Sequence, residues 1–187
     1  MKLRFPPWAV LLIICLVVGG MLAMVNGLTE GPISQRAAET ANAARYACFP
    51  DADSFEEMEL ASDSGVDSCY VAMKDGQAVG YVAQATVSGF GGPVEIHVGM
   101  DLNQTITGIN VGGSKFAETP GLGAKAKDPK FVDQFTGLAI PTQLGNGVDA
   151  ITGATITSGA VSSGVNKAGY FIQDLINRNH GRLYESG

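Results

Sequence analysis

Charge is the first scarcity. Charged residues make up 16% of the 187-residue chain, and none occurs between Arg4 and Glu30. Lys2 and Arg4 are the only charges ahead of that gap; setting them aside leaves 10 basic against 18 acidic residues, a balance of −8 for the remainder. A nucleic-acid surface needs clustered Lys and Arg to displace counterions from phosphates. Scattered basic residues and a net charge of −6 exclude that class. Cysteine is scarce as well: three residues, no CxxC spacing, and therefore no means for this chain alone to hold an iron–sulfur cluster or another metal. The two histidines, His97 in a strand-like stretch and His180 near the C-terminus, read as surface residues rather than ligands. Internal repeats and low-complexity tracts are absent. What is plentiful is hydrophobic content, 45%, and glycine, 25 residues: enough for one real core with many tight turns.

The uncharged stretch has the length of a membrane span. Trp8 to Val25 (WAVLLIICLVVGGMLAMV) is dense in Leu, Ile, Val and Met, and about 20 such residues cross the hydrocarbon layer. Pro6 and Pro7 fall where a first helical turn tolerates proline, and Trp8 at interfacial depth. Lys2 and Arg4 place the N-terminus in the cytoplasm by the positive-inside rule. A cleaved signal peptide fits less well, because Ala23-Met24-Val25 lacks the small residues of a cleavage site and Cys15 follows Ile13-Ile14 rather than a lipoprotein box. A soluble core helix fits worse, the run being apolar on every side. The expected organisation is a cytoplasmic tail (1–5), a transmembrane helix (6–28), a helical stalk or linker (29–65) and an extracytoplasmic domain (66–187), in the inner or plasma membrane.

Beyond the span, Gly31 to Cys48 is Ala-rich and predicts a helix, broken at Pro50-Asp51-Ala52-Asp53. Phe55-Glu56-Glu57-Met58 predicts another short helical turn, with Glu56, Glu57 and Glu59 as its solvated face. From Ser68 the period changes to that of strands. Cys69-Tyr70-Val71-Ala72-Met73 runs into Asp75-Gly76, a two-residue hairpin signal, and Val79-Gly80-Tyr81-Val82-Ala83 continues past it. The stretches 93–98 and 105–111 alternate apolar and polar residues. Four antiparallel strands in a meander are expected. A short helix should start at Asp128-Pro129, with Asp128 as N-cap, and a last strand should lead into Val148-Asp149-Ala150-Ile151. The final helix should run from about Ser158 to Arg178, with Val161, Val165, Ala168, Ile172, Leu175 and Ile176 on its apolar side. The fold class is α+β.

Chemistry concentrates in Asp149-Ala150-Ile151-Thr152-Gly153-Ala154-Thr155-Ile156-Thr157-Ser158. Gly153 and Ala154 permit close backbone approach, and Thr157 or Ser158 can cap the following helix. Free N–H groups and the positive end of the helix dipole then lie beside Thr155, which suits a phosphate. The same residues also describe an ordinary capped helix start, and physical reasoning alone stops there.

The pattern Asp149, Thr152, Gly153, Ala154, Thr155 resembles the D-x-x-[ST]-G-A-T signature of the FMN-binding domain family. Glu118-Thr119-Pro120-Gly121-Leu122-Gly123 resembles the E-T-P-G-L-G loop of the same family, and Gly89-Phe90-Gly91-Gly92-Pro93 is a third, weaker match; the likeness covers about residues 66–178. It implies one FMN, joined through its phosphate to Thr155 by a separate flavin transferase that uses FAD and recognises Asp149. It also implies that Thr152, Gly153, Ala154, Ile156, Thr157 and Ser158, with Glu118 to Gly123, surround the cofactor, with no metal and no catalytic residue. A type II turn with Gly121 at positive φ is expected at Pro120-Gly121.

With one span and this length the chain is similar to the G subunits of Rnf-type ion-translocating ferredoxin:NAD oxidoreductases. The C subunits of sodium-pumping NADH:quinone reductases share the motifs but are usually longer. The implied role is an electron-carrier subunit without turnover of its own, working among integral-membrane flavin and Fe–S subunits that move Na⁺ or H⁺. A stand-alone extracytoplasmic flavin carrier and a sensor domain are the alternatives; a sensor would need a signalling segment, which a five-residue tail does not supply. Cys48 and Cys69 stand 21 residues apart in a compartment that permits a disulfide, and spacing alone leaves their pairing open.

Overall fold

The computed structural model describes residues 6–61 and 63–185, and within its helices it leaves out the side chains of 30–38 and 180–185. The tail 1–5 and the His180 side chain therefore lie outside the description. The chain divides into two compact units, Met1–Ala41 and Asn42–Gly187. A continuous helix α1, Pro7–Cys48, begins in the first and ends in the second.

In the first unit, Pro7–Thr29 is a 23-residue apolar stretch of mean hydropathy 2.7 with no part buried against protein. At 1.5 Å rise per residue it spans about 34 Å, enough for a hydrocarbon layer of about 30 Å. Its large side chains stand free, Trp8 70% and Leu22 65% exposed. Such a surface has the length and composition of a membrane span.

The second unit is an antiparallel meander of five strands in sequence order: β1 (Ser54–Glu57), β2 (Ser68–Lys74), β3 (Gln77–Ser88), β4 (Pro93–Asp101) and β5 (Ile106–Gly112). The β2–β3 turn is the expected two-residue hairpin: Asp75 and Gly76 have φ of 50° and 73°, and Lys74 pairs with Gln77. The meander has five strands, however, not four. Residues 54–57 do not make a helical turn; they add an edge strand, Ser54 opposite Met73 through Glu57 opposite Tyr70. Glu56 and Glu57 are thus edge-strand charges, a placement that discourages a further chain from pairing there.

The final helix α3 (Thr155–Glu185) packs across β3 and β4. Its stripe Val161, Val165, Ala168, Ile172 and Ile176 is buried, and with Ala83, Ala85, Ile96, Val98 and Met100 it forms the main core. Burial of such a stripe, rather than helix propensity, holds the helix in place. The helix begins three residues earlier than the expected Ser158. Residues 113–154 connect β5 to α3 through a 3-10 turn (Gly123–Lys127), the short helix α2 (Pro129–Val132), a second 3-10 turn (Asp133–Phe135) and the two-residue strands β6 (Gln143–Leu144) and β7 (Gly147–Val148). The last strand expected to lead into Val148-Asp149-Ala150-Ile151 is only the two-residue β7. Pro129 is at the first position of α2 as expected, but the Asp128 side chain makes no capping hydrogen bond.

The opposite sheet face holds a smaller cluster of Cys48, Phe49, Ala52, Ala72 and Val82. A Cβ at Gly80 would meet Phe49 and the Met100 carbonyl, and one at Gly99 would meet the Cys48 carbonyl, so these glycines let the end of α1 lie directly on the sheet. Thr107 Oγ1 donates to that Cys48 carbonyl at 2.6 Å, satisfying a group that a helix C-terminus leaves orphaned. Cys48 and Cys69 sit in clusters on opposite faces, and both thiols are free. Burial raises both thiols, that of Cys69 to about 12, so each remains a protonated core side chain.

Candidate functional site

Two turns and a helix start build the site. In the first turn, Thr119-Pro120-Gly121-Leu122, the Leu122 N–H donates to the Thr119 carbonyl at 3.1 Å and Gly121 has φ of 79°. Proline at the second position and a left-handed glycine at the third are what a type II turn requires, as expected from the sequence. In the second turn, Ile151-Thr152-Gly153-Ala154, the Ala154 N–H donates to the Ile151 carbonyl at 2.9 Å and Gly153 again has φ of 79°. A Cβ on Gly153 would come within 3.0 Å of Leu122 Cδ2, so the two turns abut.

Helix α3 opens immediately after the second turn, with exposed Thr155 as its first residue. Neither Thr157 nor Ser158 caps it. Thr157 Oγ1 donates to Glu118 Oε2 at 2.9 Å. Ser158 Oγ accepts from the Ile151 N–H at 2.9 Å and donates to the Ala154 carbonyl at 3.0 Å, which ties the turn to the helix. Among the described residues no side chain accepts from the N–H groups of Thr155, Ile156 or Thr157. Uncapped N–H groups at the positive end of a 31-residue helix, beside the Thr155 hydroxyl, are the kind of arrangement that suits an anion.

The cleft beside Thr155 has a volume of about 370 Å³. Its walls come from three segments: Phe90 from the β3–β4 loop, Glu118 to Gly123 in part, and residues 153–157. Phe90, Leu122 and Ile156 are 69%, 43% and 62% exposed, so three apolar surfaces face an open space. Glu118 is buried at the base, where Oε1 accepts from the Gly91 N–H at 3.1 Å and Oε2 from Thr157. One carboxylate thus fastens the β3–β4 loop, the first turn and α3 together. Close packing around it leaves no room at Gly123, where a Cβ would strike Glu118 Oε2 and Thr157 Oγ1, or at Gly89, where it would strike Glu118 Oε1.

The signature residues divide between two clefts. Gly153, Ala154, Thr155, Ile156 and Thr157 line the first; Asp149 and Thr152 line a second, of about 690 Å³, with Lys125, Asp128, Lys130 and Gln134. The Asp149 N–H donates to Gln134 Oε1 at 2.7 Å, and its exposed carboxylate stands apart from the first cleft. Ser158 is fully buried and reaches neither cleft. Phe90 lies in the weakest of the three family matches and was not counted among the residues around the cofactor; an aromatic between glycines in a hairpin loop is the signal that could have found it. A third hollow, of about 420 Å³, is lined by Glu57, Glu59 and Asp67, whose charges would repel a phosphate. Among the described residues no three His, Cys, Asp or Glu converge as a metal site would require. His97 is not at the surface: it is 7% exposed on β4, its Nδ1 has no hydrogen-bond partner among the described residues, and burial near Arg45 lowers it to about 4.

The residues fit a flavin mononucleotide. An accessible hydroxyl and a dipole-backed set of N–H groups suited to a phosphate lie in the first turn of α3, beside an apolar-walled cleft suited to a flat ring. Comparison with known proteins agrees. The FMN-binding domain family matches residues 89–169, which include all three segments of the cleft. Over 93% of this chain and 94% of the relative, it is 35% identical to the G subunit of the Na⁺-translocating ferredoxin:NAD⁺ oxidoreductase complex of Acetobacterium woodii. The G subunit of the ion-translocating oxidoreductase complex of Methanosarcina acetivorans is 33% identical over 84% of this chain and 88% of its own. Among solved structures, the C subunit of the Na⁺-translocating NADH-quinone reductase of Parabacteroides distasonis is 28% identical, covering 56% of this chain and 62% of that one, with a TM-score of 0.46.

Fold, cleft and family together define an anchored flavin-binding domain. The chain belongs to the FMN-binding domain family, and it is similar over most of its length to the G subunits of ion-translocating oxidoreductase complexes.

Proposed function

We infer that this chain is a membrane-anchored electron-transfer subunit of an Rnf-type ion-translocating ferredoxin:NAD oxidoreductase, carrying one FMN esterified through its phosphate to Thr155 Oγ1. The carrying observation is an exposed threonine at the first position of α3, below uncapped N–H groups and beside an apolar-walled cleft. Bound there, the isoalloxazine would supply electron acceptance and donation that no side chain of this protein provides.

The protein's own contribution is position and shelter. The N–H groups of 155–157 would hold the phosphate oxygens against the helix dipole. Phe90, Leu122 and Ile156 would shield ring faces from water, and their exposure leaves one side open to a donor or acceptor in a neighbouring subunit. Attachment needs outside help. A threonine hydroxyl is a poor nucleophile, and among the described residues no base hydrogen-bonds Thr155; both oxygens of the nearby Glu118 are already engaged. A flavin transferase using FAD is therefore the proposed maturation partner, and Asp149, exposed in the second cleft, is a handle it could reach. With Lys2 and Arg4 in the cytoplasm, the flavin domain would lie outside the membrane.

Co-expression with a flavin transferase tests this reading. Intact mass should rise by one FMN less water, and denaturing gels should show flavin fluorescence. Thr155→Ala should lose both signals completely. Thr157→Ala should keep them while lowering stability by about 1–3 kcal/mol, because Glu118 Oε2 loses its donor. Wild-type protein that stays colourless beside a working transferase would overturn the assignment.

A further inference from the structure

The cleft beside Thr155 contains one charged side chain. Of its lining residues, Glu118 alone is ionisable to an anion, and none is cationic. Glu118 is 7% exposed, and among the described residues no Lys, Arg or His forms an ion pair with it. Both of its oxygens act as acceptors, from the Gly91 N–H and from the Thr157 hydroxyl, which is the bonding pattern of a carboxylate. Gly89 and Gly123 leave no space for a side chain that could bring in a counter-charge. A structural clamp alone would not need a charge. A glutamine in the same place could accept from Gly91 with its carbonyl and donate to Thr157 with its amide.

Resting on the reading that Thr155 carries FMN, we propose that Glu118 sets the reduction potential of that flavin, its buried charge, which no cation pairs, making reduction harder. The ring accepts two electrons from its redox partner and one proton from solvent, so each reduction adds one negative charge to the cleft. A fixed negative charge at the base of the same cleft opposes that addition, and the burial of Glu118 weakens the screening that would cancel it. Glu118 thereby acts on the flavin through space while its hydrogen bonds hold the cleft in shape.

The test is a spectroelectrochemical titration of full-length, flavinylated protein in detergent, with redox dyes as mediators, comparing wild type with Glu118→Gln. Flavin stoichiometry from mass and gel fluorescence is read first. At the wild-type midpoint, the ratio of reduced to oxidised flavin should rise tenfold or more in E118Q, since a unit charge within about 12 Å supports that much at an effective dielectric of roughly 20. Glu118→Asp keeps the charge and shifts the geometry, and it should stay near the wild-type potential, whereas Glu118→Ala should move with E118Q. If E118Q carries no flavin, the Asp and Ala pair decides the matter in the same way. An E118Q protein with full flavin and an unmoved potential overturns the proposal, as does loss of flavin from all three folded variants. Absence of FMN from the wild type is a different failure, which removes the functional reading itself.

Discussion

At the scale of single residues, the site depends on atoms that leave no room for others. Gly123→Ala would push a methyl into Glu118 Oε2 and Thr157 Oγ1. That overpacking should lower stability by about 1–3 kcal/mol and cut the fraction of chains bearing flavin, as read by denaturant titration and gel fluorescence on one preparation. His97 gives a prediction in pH. The unfolded chain takes up a proton there near 6.5 and the folded one only near 4, because burial and Arg45 disfavour the cation. Between those values the unfolded state binds more protons, so stability present above pH 6.5 is lost as pH falls toward 4. The loss is on the order of 3 kcal/mol. Urea titrations at about pH 7 and about pH 4.5 should show it in wild type and show it much reduced in His97→Gln. The tight turn at Gly153 ahead of the last helix was legible in the sequence, because it is a local backbone geometry that glycine permits. The burial of His97 was not, since the alternation of β4 says only that it faces away from α3, and the end of α1 covers that other face.

Among elements, α3 carries the most. Its buried stripe follows from helical spacing alone and was legible in the sequence. Ile172, fully buried at its centre, predicts a loss of about 2–5 kcal/mol on Ile172→Ala, measured by urea unfolding. The start of α3 was misplaced because Thr157 and Ser158 look like caps. The Thr157 hydroxyl is taken by Glu118, 39 residues away, and the Ser158 hydroxyl turns back to the Ile151–Ala154 turn, so neither caps the first-turn N–H groups. Edge strand β1 was missed for a related reason. Ser54-Phe55-Glu56-Glu57 has weak alternation, and its extended form is decided by the free edge of β2 rather than by its own preferences.

For the molecule as a whole, the governing property is sidedness. The apolar stretch of α1 has a span's length whichever way it is threaded, and only Lys2 and Arg4 argue for direction. Alkaline phosphatase fused after the flavin domain should therefore be active in cells, and a green fluorescent protein in its place should be dark. The reverse pattern would put the flavin in the cytoplasm and leave the proposed complex with its electron path on the wrong side. Similarity to G subunits over nearly the whole chain fits the anchored arrangement, since it includes the apolar segment as well as the domain.

The amino-acid sequence by itself determined the anchor, the hairpin at Asp75-Gly76, the apolar stripe of α3 and the threonine proposed for modification. Each depends on neighbours within a few residues, or on a run of uniform composition. Only the tertiary structure decided that Glu118 underlies the cleft, that Phe90 joins its wall, that Asp149 faces a separate groove and that the two buried thiols lie on opposite sheet faces. Those facts depend on which segments meet after strands pair and α3 packs across them, and contacts between residues 27 to 39 positions apart carry no local signal.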